Sequence, residues 1–271
     1  MEVFSLTERK NIYFHYKKDP NIHNHLEILK NRMTQNGFNI VDQSKDANII
    51  VSIGGDGDFL QCVRRTGFRD DCLYAGISSK DQLSFYCDSH LEDSHKIIDA
   101  IHLKQVKVRR YPIIEVTIDD ESSYLCLNEF SIQSAIVKTF ILDVFINDLH
   151  LETFRGDGLV ISTPTGSTAY NKSVRGAVVD PKLACMQITE LGSLNNNQYR
   201  TLGSPFILSN DKTLTLVVGK EGNEHPIMAI DNESLSIRHV EKIRIKLSNK
   251  KIKTIKLKDN TFWHKVKRTF L

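Results

Sequence analysis

Two short segments of this chain combine glycine, aspartate and hydroxyl side chains in an order that suits phosphate chemistry. The first is Ile53-Gly54-Gly55-Asp56-Gly57-Asp58-Phe59. Its glycines follow an apolar run, Asn48 to Ile53, and a helical pattern continues beyond them from Leu60 to Arg65. Glycine tolerates positive φ and lets a ligand lie on bare backbone. A helix start adds amide donors and a partial positive charge, both of which attract phosphate. The loop lacks the Gly-Lys-Ser/Thr of a Walker A sequence, and Leu60 stands where a dinucleotide fingerprint has its third glycine. An aspartate between glycines makes sense if it acts on a hydroxyl or holds Mg2+. A tight turn is the plainer alternative, since Asp and Gly both favour turns.

The second segment runs Arg155-Gly156-Asp157-Gly158-Leu159-Val160-Ile161-Ser162-Thr163-Pro164-Thr165-Gly166-Ser167-Thr168-Ala169-Tyr170-Asn171. An aspartate again sits between two glycines, and a short strand then leads into a loop dense in hydroxyls. Thr165, Ser167 and Thr168 are short donors and acceptors suited to phosphate and ribose oxygens, and Tyr170 offers a flat face for a base. The competing reading is a helix start capped by Thr165 or Ser167. Each loop alone is ambiguous, but two such loops in one chain argue against coincidental turns. Ser167 lies in Gly-Ser-Thr and does not form the Gly-x-Ser-x-Gly elbow of a hydrolase. His23-x-His25 reads as a solvated helix face, and Trp263 as packing in the tail.

The elements that must hold these loops divide in character. Up to about residue 110 the chain reads α/β. Strands are expected at Asn11 to Tyr16, Phe38 to Val41, Asn48 to Ile53 and Leu73 to Ile77. Helices are expected after Asp19-Pro20, with Leu26, Leu29 and Met33 on one face and Gly37 closing it, and at Leu60 to Arg65 and His90 to Leu103. Such alternation implies a parallel sheet covered on both faces. From Tyr111-Pro112 onward the pattern is mostly antiparallel β. Strands are expected at Ile113 to Ile118, Phe130 to Gln133, Ile141 to Ile146, Leu214 to Val218, Leu235 to Arg238, Ile243 to Leu247 and Ile252 to Leu257. One helix is expected at Pro181 to Leu191. The resulting division is an α/β domain over 1–110 carrying the first loop and a β-rich domain over 111–271 carrying the second and a basic tail.

Length and composition agree with this division. The 271 residues suffice for one large domain or two ordinary ones. With 40% hydrophobic and 25% charged residues, disorder, collagen and disulfide miniproteins are excluded. No apolar run reaches the ~18 residues of a membrane span, and Met1 to Lys10 lacks the apolar core of a signal peptide. Cys62, Cys72, Cys87, Cys126 and Cys185 form no Cys-x-x-Cys pair and suit a reducing cytosol. A cytoplasmic protein is the default. Eleven of the 36 Lys and Arg fall from Lys242 onward, against a single acid, Asp259. They alternate with apolar residues, which marks half-buried strands with a solvated face better than a nucleic-acid arm.

Gly54-Gly55-Asp56-Gly57 after a strand, Leu127-Asn128-Glu129, and the run from Gly156 to Ser173 (GDGLVISTPTGSTAYNKS) together resemble NAD kinases, more narrowly the short NAD kinases of low-GC Gram-positive bacteria. Further matching pieces include Ala184 to Gln187, Ser193 to Asn196, Tyr199 to Pro205 and Phe262 to Val266, so the resemblance spans roughly Ile49 to the C-terminus. It implies ATP-dependent phosphorylation of the adenosine 2′-hydroxyl of NAD, with Mg2+ or another divalent cation accompanying ATP. It also implies an α/β domain plus a β-sandwich-like domain, and a homodimer or homotetramer, with neither nucleic acid nor membrane as partner.

On matching positions, Asp56 becomes the base or orienting group for the 2′-hydroxyl. Asn128, Glu129 and Asp157 line the dinucleotide site. Thr168, Ala169, Tyr170 and Ser173 fall near its adenine and nicotinamide ends, and Gly57, Phe85 and Thr165 complete the NAD-binding set. Gly54, Gly55, Gly57 and Arg155 are the phosphate-binding positions. The chain departs from the family at Asp58, where a threonine is usual, and in Ser78-Ser79-Lys80-Asp81-Gln82-Leu83-Ser84-Phe85, where two glycines are missing. It departs again at Arg175, which replaces a glycine, and at Asn197, which replaces an arginine. These departures carry an alternative reading, a non-catalytic or weakly active NAD(P)-binding protein. A kinase of the same glycine-loop type acting on a lipid or sugar is a third, disfavoured by TPTGSTAY.

Overall fold

A computed structural model describes residues 9–93, 95–102, 106–136, 138–219, 226–237, 239–257 and 260–271. Its contacts group the residues up to Arg110 with Ile252–Leu271 as one unit, and Tyr111–Lys251 as another.

The first unit is built on parallel strands. They are β1 (Asn11–His15), β2 (Asn39–Ile40), β3 (Ile49–Gly54), β4 (Leu73–Ser78) and β5 (Cys87–His90). Strand β1 pairs with β2 and β3, and β4 with β3 and β5, all in parallel. Every residue of β3 and β4 is buried, as befits central strands covered on both faces. Helix α1 (Pro20–Gln35) turns Leu26, Leu29 and Met33 into the core. It ends as expected at Gly37, with φ +82°. The Phe38 amide donates to Met33 O at 3.1 Å and the Gly37 amide to Thr34 O at 3.0 Å, the paired bonds of a Schellman stop.

Helix α2 (Asp56–Arg65) begins four residues earlier than the pattern from Leu60 predicts, because the glycine loop is itself the first turn. His90, expected to open a helix, instead ends strand β5, and α3 spans His95–His102. The expected helix end, Leu103, lies outside the described residues.

The second unit is a sandwich. One sheet contains β6 (Val106–Ile118), β7 (Ser122–Cys126), β9 (Phe140–Ile146), β10 (Leu149–Gly156), β14 (Thr213–Val218) and the first half of β17 (Lys242–Leu257). The other runs β13 (Phe206–Ser209), β12 (Cys185–Leu191), β11 (Gly158–Ser162), β8 (Glu129–Gln133), β15 (Ile227–Ile230) and β16 (Glu233–Leu235), antiparallel throughout. Alternate side chains meet in one core. Phe140, Leu142, Val144, Leu214, Leu216, Ile243 and Ile245 come from the first sheet, and Phe130, Ile132, Leu159, Ile161, Met186 and Ile188 from the second. This is the period-two burial expected of packed antiparallel sheets.

The expected helix at Pro181 to Leu191 is a turn followed by β12. Ala, Met, Gln and Leu favour helix locally, but Cys185–Leu191 is paired on both sides, by β11 and β13. Pairing on both edges overrides local propensity. Strand β16 replaces the expected Leu235 to Arg238, and Arg238 itself lies outside the described residues. The two strands expected at Ile243 to Leu247 and Ile252 to Leu257 are one, β17.

The last residues return to the first unit. Thr254 pairs in parallel with Tyr74 of β4, and α5 (Phe262–Phe270) follows, with the Thr261 hydroxyl accepting from the His264 amide. Residues 252–271, grouped with the β-rich half on sequence, pack here instead. Lys258 and Asp259 lie outside the described residues.

Candidate active site

In the first unit the glycine loop joins β3 to α2. Gly54 has φ +146°, and a Cβ there would lie 2.3 Å from Asp58 Oδ2, so only glycine fits. Gly55 is the N-cap of α2. Asp58, at the third helical position, reaches back so that Oδ2 accepts the Gly55 amide at 2.9 Å, while Oδ1 pairs with Lys17 Nζ at 2.8 Å. Lys80 also lies over the loop, its Nζ 3.0 Å from where a Gly55 Cβ would stand. Burial acts to raise the Asp58 pKa, but the Lys17 and Gly55 hydrogen bonds and the Lys17 and Lys80 charges outweigh it and hold the carboxyl below its ordinary value. The extra carboxylate is therefore a helix cap within a cationic surround.

Asp56 is held differently. Its Oδ2 accepts the Phe85 amide at 3.0 Å and its Oδ1 the Tyr86 amide at 2.7 Å. Two amides from one dipeptide orient both oxygens, and each oxygen keeps a further lone pair for a substrate hydroxyl. The dipeptide is anchored in turn. The Tyr86 ring stacks on Phe59 of α2 at 4.6 Å, and Cys87 Sγ donates to Gly54 O at 3.6 Å. Before it, Ser78 Oγ donates to Gln82 O at 3.1 Å and accepts the Lys80 amide at 3.2 Å, bonds that close the loop without its two missing glycines.

In the second unit the TPTGSTAY loop follows β11, which places Ser162 opposite Glu129 of β8. Gly166 packs directly on the Asn128 peptide, where a Cβ would come within 2.0 Å of Asn128 O. Much of the hydroxyl content holds the loop itself. Thr163 Oγ1 donates to Leu127 O at 2.7 Å, Ser167 Oγ to Pro164 O at 2.6 Å and Thr168 Oγ1 to Thr165 O at 3.0 Å. Neither Thr165 nor Ser167 caps a helix through its side chain; Thr165 is the N-cap of a 3-10 turn, Gly166–Thr168, and its hydroxyl is buried without a partner. Helix α4 (Tyr170–Ser173) follows and packs on β11.

Asn128 and Glu129 are held by a residue that the sequence reading missed. Asp231, in the turn after β15, accepts the Asn128 amide at 2.6 Å and the Leu127 amide at 3.2 Å. Glu129 is buried, and its Oε2 has no partner. Burial first, and the Asp231 charge second, push its pKa up to about 8. At neutral pH its carboxyl therefore retains the proton and can donate to a ligand oxygen.

Within each unit the expected residues converge unevenly. Gly54, Gly55, Asp56, Gly57 and Phe85 form one cluster, but the Phe85 side chain is buried and contributes its amide. Asn128 meets the second loop at Thr163 and Gly166, Glu129 follows it on β8, and Thr165 and Thr168 are buried within the loop itself. Tyr170 is exposed, its hydroxyl accepting from Gln133 Nε2 at 3.1 Å. Ala169 lies beside it, and Ser173 is exposed. Asp157 is exposed between glycines that backbone packing requires, since a Cβ on Gly158 would lie 2.2 Å from Ile132 O. Arg155 stacks on the Tyr199 ring at 4.4 Å. Lys17, Lys80 and Tyr86 were missed alongside Asp231. Only Asp231-Asn232, a turn pair after an apolar strand, carried a local signal. Among the described residues no cluster of three or more His, Cys, Asp or Glu is placed to ligate a metal.

This α/β-plus-sandwich fold is that of two solved nucleotide kinases. The yeast NADH kinase in complex with NADH superposes with a TM-score of 0.83 over 96% of this chain and 87% of that one, at 18% identity. An NAD kinase from Archaeoglobus fulgidus in complex with ATP gives 0.74 over 95% and 99%, at 20% identity. Residues 127–257 match the ATP-NAD kinase C-terminal domain. NAD kinase 2 of Bacillus subtilis is 62% identical over 97% of this chain and 99% of its own length, and NAD kinase 2 of Bacillus licheniformis is 57% identical over 98% and 100%. The chain belongs to the NAD kinase family.

Proposed function

We propose that the chain transfers the γ-phosphoryl group of ATP to the adenosine 2′-hydroxyl of NAD, giving NADP. The observation that carries this is the Asp56 carboxylate, fixed at the start of α2 by the Phe85 and Tyr86 amides. In this role Asp56 orients the hydroxyl and accepts its hydrogen bond. A strong base is not required, because phosphoryl transfer passes through a loose transition state in which positioning and charge stabilisation dominate. The backbone of Gly54, Gly55 and Gly57 is assigned to the donor phosphates, with Lys17 and Lys80 supplying positive charge beside them. ATP enters as its complex with Mg2+ or another divalent cation, since Mg2+ is commonly held by phosphates and few protein ligands.

Asn128, Glu129, Asp157, Thr165, Thr168, Ala169, Tyr170 and Ser173 are assigned to the dinucleotide, with Arg155 as a phosphate contact. The engagement of Asp58 by Gly55 and Lys17 supports a working donor site over a binding-only protein. The same reading takes the chain as two domains, the first completed by the returning tail, acting in the cytoplasm as a homodimer or homotetramer. Five buried free cysteines accord with a reducing compartment, and among the described residues no helix is long and apolar enough to cross a membrane. The test is direct: incubation with NAD, ATP and Mg2+ is expected to yield NADP, and Asp56→Asn to lower kcat by about 10²-fold or more. An unchanged kcat would remove Asp56 from the reaction.

A further inference from the structure

The C-terminal helix carries a lysine that the reaction as described does not use. Lys265 of α5 is fully buried. Its ammonium donates to Phe85 O at 2.8 Å and forms an ion pair with Asp88. Phe85 is the residue whose amide binds Asp56 Oδ2, so a single residue, bonded through its carbonyl on one side and its amide on the other, lies between Lys265 and the Asp56 carboxylate.

The same segment is held at both ends. Arg268 of α5 donates to Ser84 O at 3.2 Å. Asp88 also accepts from Asn260 Nδ2 at 2.9 Å and from the Leu257 amide at 3.3 Å, with Arg109 at 3.9 Å. Phe262 of α5 meets the Phe85 ring edge-on at 5.6 Å. Gly76 allows the close passage of the segment, since a Cβ there would lie 2.5 Å from Tyr86 O.

We propose that Lys265 is a positioning residue for catalysis: through Phe85 O and Asp88 it holds Ser84–Asp88 in register, so that the Phe85 and Tyr86 amides present Asp56 to the acceptor hydroxyl. This rests on the reading of Asp56 given above. A buried ion pair is a poor source of net stability, and apolar packing of the same volume commonly serves as well. A buried ammonium is therefore better explained by the carbonyl and carboxylate it places. Burial lowers the Lys265 pKa to about 8, with Asp88 opposing the shift, so the side chain remains cationic at pH 7. Displacing a reacting group by about 1 Å can cost of the order of 10²-fold in rate.

The test is a double-mutant cycle on the full chain, with Lys265→Met, Asp56→Asn and the pair assayed for NADP formation, and amide exchange followed at Phe85 and Tyr86. Lys265→Met keeps the stem and removes the donors. It is expected to lower kcat by about 10- to 100-fold with KM for NAD within about twofold, to speed exchange at both amides, and to have no further effect in the Asp56→Asn background. An unchanged kcat, or the same fall in both backgrounds, overturns the proposal. An Asp56→Asn enzyme as fast as wild type overturns the reading of Asp56 instead, and the exchange data then still report whether Lys265 holds the segment. If Lys265→Met does not fold, Asp88→Asn carries the test, since it removes the carboxylate through which Lys265 holds the segment. A fall in kcat of roughly threefold or more, dependent on Asp56, is expected, and no fall overturns the proposal.

Discussion

Glu129 shows how burial turns a common side chain into an uncommon one. Its folded-state pKa of about 8 lies above the ordinary carboxyl value. The folded state therefore holds a proton that the unfolded state releases between about pH 4.5 and 8. The stability linked to this proton is fully present below the lower value and is lost as pH rises through the upper one. Glu129→Gln has no such titration, so the wild type is expected to lose melting temperature relative to the variant as pH rises across that window. A difference in Tm that stays constant with pH would count against a buried, protonated Glu129. Asp58 illustrates the opposite case, a carboxylate surrounded by donors. The family resemblance suggests that Asp58→Thr restores the usual residue and improves use of ATP. The Gly55 amide and Lys17 contacts point elsewhere: the expected result is a loss of about 1 kcal/mol, from the cap and an exposed ion pair, with no gain in KM for ATP. Thermal melting and ATP titration would decide between the two.

At the scale of elements, both loops owe their shape to glycines set against a backbone or a capping carboxylate, and the helices they enter are short and locally capped. Arg175 breaks this pattern. The Gly176 amide donates to Asn171 O at 2.8 Å and the Arg175 amide to Lys172 O at 3.2 Å, the bond pair of a Schellman stop to α4. Such a stop puts its left-handed residue at position 175, where φ is +67°. A family glycine there is explained by that backbone, without any appeal to the ligand. Left-handed geometry costs a non-glycine residue about 1–2 kcal/mol, and glycine recovers this less its own entropy of about 0.5–1 kcal/mol. Arg175→Gly is therefore expected to raise stability by up to about 1 kcal/mol, read as a higher urea midpoint at unchanged slope. A lower midpoint would mean that the arginine side chain makes compensating contacts.

At the scale of the whole chain, the tail belongs to the first unit and completes its core. Ending the chain at Asn260 removes the buried Phe262 and takes the Lys265 ammonium from Asp88, which keeps Arg109 at 3.9 Å; loss of a buried aromatic side chain alone costs about 3–5 kcal/mol. The truncated chain is expected to unfold at a markedly lower urea concentration, and an equal midpoint would show that α5 contributes little. Much of the rest was legible in the order of residues. Alternating apolar positions marked β9, β14 and β17, because burial on one face of a strand acts on every second side chain. Gly37 marked the end of α1, and the glycines at 54 and 166 marked the two loops, because a left-handed φ or a close backbone approach is a demand on a single residue. Strand β12 carries a helical pattern in sequence yet forms a strand, because its residues are held by neighbours on either side rather than by their own propensity. Strands β5, β7, β10, β13 and β15 were missed for the related reason that pairing supplies what pattern does not. The arrangement around Asp56 was beyond any local reading, since its amide partners lie 29 and 30 residues away, and Lys265 stands 180 residues from the carbonyl it holds. Residue types and spacing therefore singled out the two loops proposed to carry the chemistry, because those demands are met within a few residues. Only the tertiary structure decided which distant amides, carboxylates and lysine orient them, because hydrogen bonds of that separation exist only once the chain has folded.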